Sequence, residues 1–413
     1  MNTSIIARQA LLTLVLWGSI YSLSIAQIQP LPNPAATNSF TPKLHLSPKG
    51  KVYLSWQTKN VNQKHSLWVS SLKGEKWTAP RQAATETQQW FVNWADFPAV
   101  TTFGKRSLAV NYLQKSASST YAYDVMLRIS HNKGKTWQKP FVAHQDGTHT
   151  EHGFVSLAPA PNGRFLAVWL DGRETAKRAG ESHGHSQGHG ASKKAMTLRA
   201  AFFDGKGNKQ APTLLNDWVC DCCQTSVAPT KQGYVVVYRG RSKGEVRDIA
   251  CQTYKNGRWT SPYIIHSDGW VISGCPVNGP SVSANGNQVT VAWYTKANKK
   301  AKVQVAFSDN GGESFSLPTQ VNEGSTVGRV ACAALPNGDA LVVWLETNET
   351  KTFIKLRRVS TQGKAGKVYI VSQTSSARSS GFPQIIVQGK RAILAWTLAN
   401  KKSKVLKTAT YAF

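Results

Sequence analysis

The sequence predicts an all-β fold, a β-propeller of six or seven blades, and three observations predict it. A module of about 45 to 60 residues recurs along the 413-residue chain, in the period range of propeller blades. Each module carries a short apolar run rich in β-branched and aromatic residues and bounded by Gly, Asn, Asp or Pro, which favours strand over buried helix. No long segment has helical periodicity.

From the N-terminus, residues 1–26 read as a cleaved export signal. Arg8 precedes an apolar run from Ala10 to about Ser22, and Ser24-Ile25-Ala26 supplies the small residues that signal peptidase requires. The run contains Gly18, Ser19, Tyr21 and Ser22 and falls short of the roughly 20 apolar residues of a membrane span. The expected location is therefore periplasmic or secreted. Residues 27–42 form an N-terminal segment that offers a candidate ring-closing strand, and 43–413 a single propeller domain with a His-rich loop insertion at 175–195.

The second strand of each module is the clearest: Val52–Trp56, Ser107–Tyr112, Phe165–Trp169, Tyr234–Tyr238, Val289–Trp293, Ala340–Trp344 and Ala392–Trp396. The last module stops after its third strand, Lys404 to Tyr411, so a strand from the N-terminal segment is expected to complete it and leave few exposed sheet edges.

Charge is lopsided, with 50 Lys+Arg against 21 Asp+Glu and a net charge of +29. The excess is spread, with clusters at 299–302 and 401–404, which favours anionic partners such as acidic glycans or an envelope surface. The chain has no nucleic-acid-binding motif, and an export signal argues against that partner.

At the turn into the fourth strand, Ser130-His-Asn132-Lys-Gly134-Lys-Thr-Trp137 and Ser308-Asp-Asn310-Gly-Gly312-Glu-Ser-Phe315 share one pattern, with degenerate copies at Ser71–Trp77 and Asn256–Trp259. A side-chain oxygen bonds nearby N–H groups, Gly takes positive φ, and the aromatic plugs into the blade. The pattern resembles the Asp-box, or bacterial neuraminidase repeat, of the sialidase superfamily. That resemblance implies a sialidase-type propeller, structural Asp-boxes, and a ligand site on the opposite face. Sialidases have six blades, whereas the modules here number seven.

On that face, formed by the loops leading into each first strand and those joining second to third strands, the sequence places Asp96, Glu151, His152, Asp171, Arg173, Glu174, Arg239, Arg241, Arg329, Glu346 and Arg378. The resemblance implies an arginine clamp for a substrate carboxylate, a Tyr nucleophile beside a carboxylate, and an acid/base Asp. Asp171, Arg173, Arg329 and Arg378 are the candidates for recognising an acidic sugar. Asp96-Phe-Pro lacks the early arginine of the family, and Arg378-Ser-Ser-Gly-Phe382 has Phe where a tyrosine nucleophile is sought.

The least generic feature is Cys220-Asp-Cys222-Cys223 together with Cys275, on lead-in loops of consecutive modules. Two readings stay open: a loop-stapling disulfide, favoured by an oxidising compartment, or thiolate coordination of copper or zinc. His183, His185 and His189 in the 175–195 insertion, and His152 beside the same face, add candidate metal ligands. Cys251 and Cys332 fall within strands and read as buried thiols, and His144 as incidental. The reading that follows is mainly an exported binding protein with a Cys/His-lined face; the alternative is an exo-glycosidase for acidic sugars, and the second alternative a scaffold that binds anionic glycans.

Overall fold

A computed structural model describes residues 28–176, 195–400 and 403–413. The chain is all-β and forms seven four-stranded blades, two of them with an extra short strand. The blades begin with the innermost strands Ser39–Leu46, Val100–Phe103, His152–Ala160, Ser226–Pro229, Ser281–Asn285, Ser325–Ala334 and Gln384–Gln388. Each continues outward through antiparallel neighbours, and all seven apolar runs named above fall in second strands. The blade count is therefore seven. Among the described residues helix is limited to three 3-10 turns, and no helix is long and apolar enough to cross a membrane. The expected export signal lies outside the described residues.

The seventh blade takes Gln384–Gln388, Arg391–Ala399 and Lys404–Ala412 from the C-terminus and its outer strand, Ile28–Leu31, from the N-terminus. Ile28 pairs with Tyr411 and Leu31 with Thr408. The ring is thus closed by strand exchange between the two ends of the chain, and no blade is left one strand short.

The core is a set of apolar layers, one between each pair of neighbouring blades. This explains why the second strands read as continuous apolar runs: both faces of each sheet are covered. Val52, Leu54 and Trp56 face the seventh blade, while Tyr53 between them faces the second. Trp56, Trp169, Trp293 and Trp344 are fully buried.

The turns at Ser130 and Ser308 have the same wiring. Ser130 Oγ accepts from Gly134 N at 2.8 Å and Asn132 Oδ1 from Thr136 N at 2.8 Å; Ser308 Oγ accepts from Gly312 N at 2.9 Å and Asn310 Oδ1 from Ser314 N at 3.1 Å. Gly312 has φ +93°, and a Cβ there would sit 2.8 Å from Val235 Cγ2 in the neighbouring blade. Gly312→Ala is expected to destabilise the fold by about 1–3 kcal/mol through backbone strain and overpacking, read as a lower urea midpoint with unchanged slope.

Candidate functional site

A cavity of about 660 Å³ opens on the face made by the lead-in loops. Five of these loops meet there, supplying Trp94, Glu151, Cys222, Cys275 and Arg378, while the second-to-third loops of the second and third blades add Tyr121 and Thr175, and Met196 at the start of a third strand adds a thioether. One backbone device recurs in the first strands, and Phe154, which lines the cavity, carries it. Thr41, Phe154 and Arg329 have positive φ at irregularities in the first strands of blades one, three and six. The amides of the latter two are held by a side chain from the preceding blade: Phe154 N donates to Asp96 Oδ1 at 2.8 Å and Arg329 N to Asn278 Oδ1 at 2.7 Å. Such non-glycine residues cost about 1–3 kcal/mol each and persist where the surroundings fix them.

On one wall the Tyr123 hydroxyl donates to Glu151 Oε1 at 2.6 Å, and Phe91 stacks on the Tyr123 ring at 3.9 Å. Burial pushes the Glu151 carboxyl up to about 7, beyond what the Tyr123 hydrogen bond offsets. Asp96 beneath it is buried, and burial, with the negative charge of Glu151, raises its carboxyl well above the usual range despite the bond from Phe154. Asp96 Oδ2 has no hydrogen-bond partner among the described residues.

Asp171 and Arg173 bind each other rather than the cavity. The guanidinium meets the carboxylate through Nε–Oδ1 and Nη2–Oδ2, both 2.7 Å, and Trp169 Nε1 donates to Asp171 Oδ2 at 2.9 Å. His152 Nε2 lies 3.6 Å from Asp171 Oδ1 and 3.2 Å from Asp146 Oδ2. The His144 ring stacks on His152 at 3.6 Å and its Nδ1 bonds Asp146 at 2.9 Å. His144 is therefore a buried member of the network and not incidental. Its sequence signal was the carboxylate two residues on, Asp146. His152 is directed to these carboxylates, away from the cysteines.

Arg329 is also turned inward: its guanidinium donates to the carbonyls of Ser376 at 2.8 Å and Ala377 at 2.9 Å and stacks on Trp94 at 4.7 Å. Burial lowers its pKa to about 10. Arg173 and Arg329 consequently supply no clamp, and of the sequence candidates only Arg378 is an exposed cation at the cavity. Tyr123, Trp94 and Tyr121 escaped sequence reasoning because nothing in their local pattern separates a site aromatic from a blade-packing one.

The cysteines converge. Cys220 Sγ lies 3.4 Å from Cys223 Sγ and 3.9 Å from Cys222 Sγ, and Arg247 Nη1 approaches Cys220 Sγ to 3.1 Å. Burial works against ionisation of Cys220, but its hydrogen bonds with Cys222 and Cys223, and the Arg247 charge, hold its thiol well below the usual range. Cys275 lines the cavity beside Cys222 and makes a thiol–thiol contact with it. All six cysteines are free, and Cys220 and Cys223, 3.4 Å apart, stand beyond the ~2.05 Å of an S–S bond, so the loop-stapling disulfide is not seen. Cys251 and Cys332 are buried within strands. His183, His185 and His189 lie outside the described residues.

No family model and no curated protein matches the chain. Solved structures do, in fold. The polysaccharide lyase Uly1 superposes with a TM-score of 0.51 at 8% identity, over 90% of this chain and 89% of that one. An α-L-arabinanase from Penicillium chrysogenum gives 0.46 at 11% identity, over 94% and 97% of the two chains. The NanB sialidase from Streptococcus pneumoniae gives 0.46 at 11%, over 93% and 70%. The chain is a seven-bladed β-propeller, and at these identities its likeness to Uly1 is one of fold alone.

Proposed function

We propose that the protein binds and cleaves an acidic glycan in the cavity on the lead-in face, as an exported enzyme, with Glu151 as proton donor and Arg378 as the contact for the sugar's anionic group. The observation that carries this reading is the 2.6 Å hydrogen bond from Tyr123 to Glu151 at the wall of a cavity that also presents the aromatic rings of Trp94 and Tyr121. Tyr121, exposed at the rim, offers an aromatic face for a sugar ring, and Asn93, Ser119, Thr150 and Thr175 also line the cavity with hydroxyl and amide groups. Burial holds Glu151 protonated to about pH 7, so at neutral pH it can give a proton to a leaving oxygen. The strongly positive chain draws anionic substrates toward the site.

The test is turnover of fluorogenic acidic glycosides, sialoside and uronide, with glycan affinity measured in parallel. Glu151→Gln is expected to lower kcat about 10²- to 10⁴-fold while leaving affinity nearly unchanged, and Arg378→Ala to raise KM. The wild-type rate is expected to fall as pH rises through about 7, where Glu151 loses its proton. Absence of both turnover and binding overturns the proposal. A second reading, capture without cleavage, is favoured by the full burial of Tyr123 and the inward commitment of Arg173 and Arg329. Binding with no turnover in wild type selects it.

A further inference from the structure

We propose that Cys220, Cys222 and Cys223 form a three-thiolate site for a thiophilic d10 cation, Cu(I) or Zn(II), with Cys275 closing the site on the cavity side. The proposal is independent of the glycan reading. Its geometric basis is the sulfur spacing. Three sulfurs each ~2.3 Å from one metal stand roughly 3.8 Å apart in a tetrahedral site and ~4.0 Å apart in a trigonal one. The three sulfurs here lie within 4.8 Å of one another, and two of the separations are 3.4 and 3.9 Å. Small side-chain rotations bring these separations to metal-bridged spacing, and both are well beyond the length of an S–S bond.

The loop is built to keep this spacing. Cys220 N donates to Arg239 O at 3.0 Å, and Asp221 is fixed between Met196 N at 3.2 Å and Arg241 Nη1 at 3.0 Å. Gln224 spans two further blades, donating to Ala95 O at 2.6 Å and accepting from Gly279 N at 2.9 Å. The turn that carries the sulfurs is thereby tied to four lead-in or cross-strand segments. A loop serving only to connect blades three and four needs none of these ties.

Charge provides a second, independent observation. A cation held by three or four thiolates leaves a net negative centre, which in a dry site requires positive neighbours. Arg247 touches Cys220 through Nη1 while its Nε and Nη2 hold Glu245 at 3.1 and 2.6 Å, and Arg239 is 1% exposed. Arg239 donates only to the carbonyls of Asn278, Arg247 and Tyr294 and makes no ion pair among the described residues. A metal–thiolate centre at Cys220 would give the Arg247 guanidinium, 3.1 Å from that sulfur, a second anion to face. Cys222 and Cys275 open onto the cavity beside Met196, giving the ion a sulfur-lined path from solvent. Binding displaces the thiol protons into solvent as the metal–sulfur bonds form, with no change of oxidation state.

The experiment is anaerobic titration of the reduced full-length mature protein with Cu(I) and, separately, Zn(II), each against a chromophoric chelator, with sulfur-to-metal absorption and X-ray absorption edge spectra as readouts. One equivalent bound with three or four sulfur neighbours is expected, and whichever ion competes better against its chelator identifies the cargo. Cys222→Ser, partly exposed and least needed for packing, is expected to abolish sulfur-to-metal absorption, and Arg247→Met to weaken binding about tenfold to a hundredfold. Cys251→Ser and Glu151→Gln are expected to leave binding unchanged, the latter separating this site from the glycan chemistry. The proposal is overturned if wild type retains neither ion, if Cys222→Ser binds as wild type does while its circular dichroism is native, or if mass mapping finds Cys220 and Cys223 in a disulfide in the native protein.

Discussion

Asp171→Ala is expected to lower the unfolding free energy by about 3–5 kcal/mol, the range for removing one partner of a buried charge pair. Asp171 is fully buried and serves three groups at once: the Arg173 guanidinium in a bidentate grip, the Trp169 indole N–H, and the charged ring of His152. Its removal leaves the Trp169 N–H without that acceptor in the layer between blades two and three, and leaves Arg173 with Asp146, 3.2 Å away, as its ion-pair partner among the described residues. Asp171→Asn keeps an acceptor for the indole but drops the charge, so it is expected to fall between wild type and alanine. Urea midpoints measure the series. A loss below about 1 kcal/mol for Asp171→Ala would mean that the network relaxes around the gap, contrary to the tight packing of its two histidine rings.

The same network sets a pH window. Burial alone would lower His152, but Asp146 and Asp171 outweigh it and push its pKa up to about 9. A group raised on folding adds stability that is complete below its unfolded pKa, about 6.5, and vanishes as pH rises through about 9. Asp146 and Asp171 are shifted the other way; burial opposes their ionisation, but bonds from the histidines, and from Arg173 to Asp171, hold both well below the carboxylate range. Their contribution is present above about pH 4 and is lost as pH falls below it. These are two views of one set of contacts and do not add. Stability is therefore expected to be greatest between about pH 4 and 6.5.

The propeller was legible because its core repeats. Each second strand is buried on both faces and is apolar at most positions, so Tyr234–Tyr238 or Ala340–Trp344 announces a blade without reference to any neighbour. The turns at Ser130 and Ser308 were legible for the same reason, since their bonds span only four residues. The site was legible only in part. Convergence of Cys222 and Cys275 followed from module position, because a ring brings consecutive lead-in loops together. Which arginines face the cavity did not follow. Arg329 and Arg378 read alike in sequence, yet a left-handed residue in the first strand of blade six turns Arg329 onto the carbonyls of Ser376 and Ala377 while Arg378 stays exposed. Side-chain direction there depends on a bulge and on Asn278 from the preceding blade, about fifty residues away, which no local pattern encodes.

Deleting residues 28–31 is expected to have an effect as large as that of Asp171→Ala, by a different route. These four residues form the outer strand of the seventh blade, paired to Thr408–Tyr411, and Leu31 is buried in the layer between blades seven and one with Leu44, Leu54 and Leu406. Loss of one such leucine contact costs about 2–5 kcal/mol, and each backbone hydrogen bond removed from the closing pair adds about 1 kcal/mol. Deletion is therefore expected to destabilise the protein by at least about 4 kcal/mol, with Leu31→Ala giving a smaller share of it. The deletion also bares the edge of Lys404–Ala412, whose free N–H and C=O groups can pair with another chain. Concentration-dependent aggregation in light scattering, absent from Leu31→Ala, is the signature that separates an opened ring from a mere cavity. An unchanged urea midpoint with no aggregation would show that the ring holds through its blade-to-blade layers alone. The expected signal of residues 1–26 ends two positions before this strand, so export processing a few residues further on would remove the closure itself. A proteolytic cut after Leu31 is accordingly expected to reproduce the deletion, measured as the same drop in midpoint on the cut, otherwise intact chain.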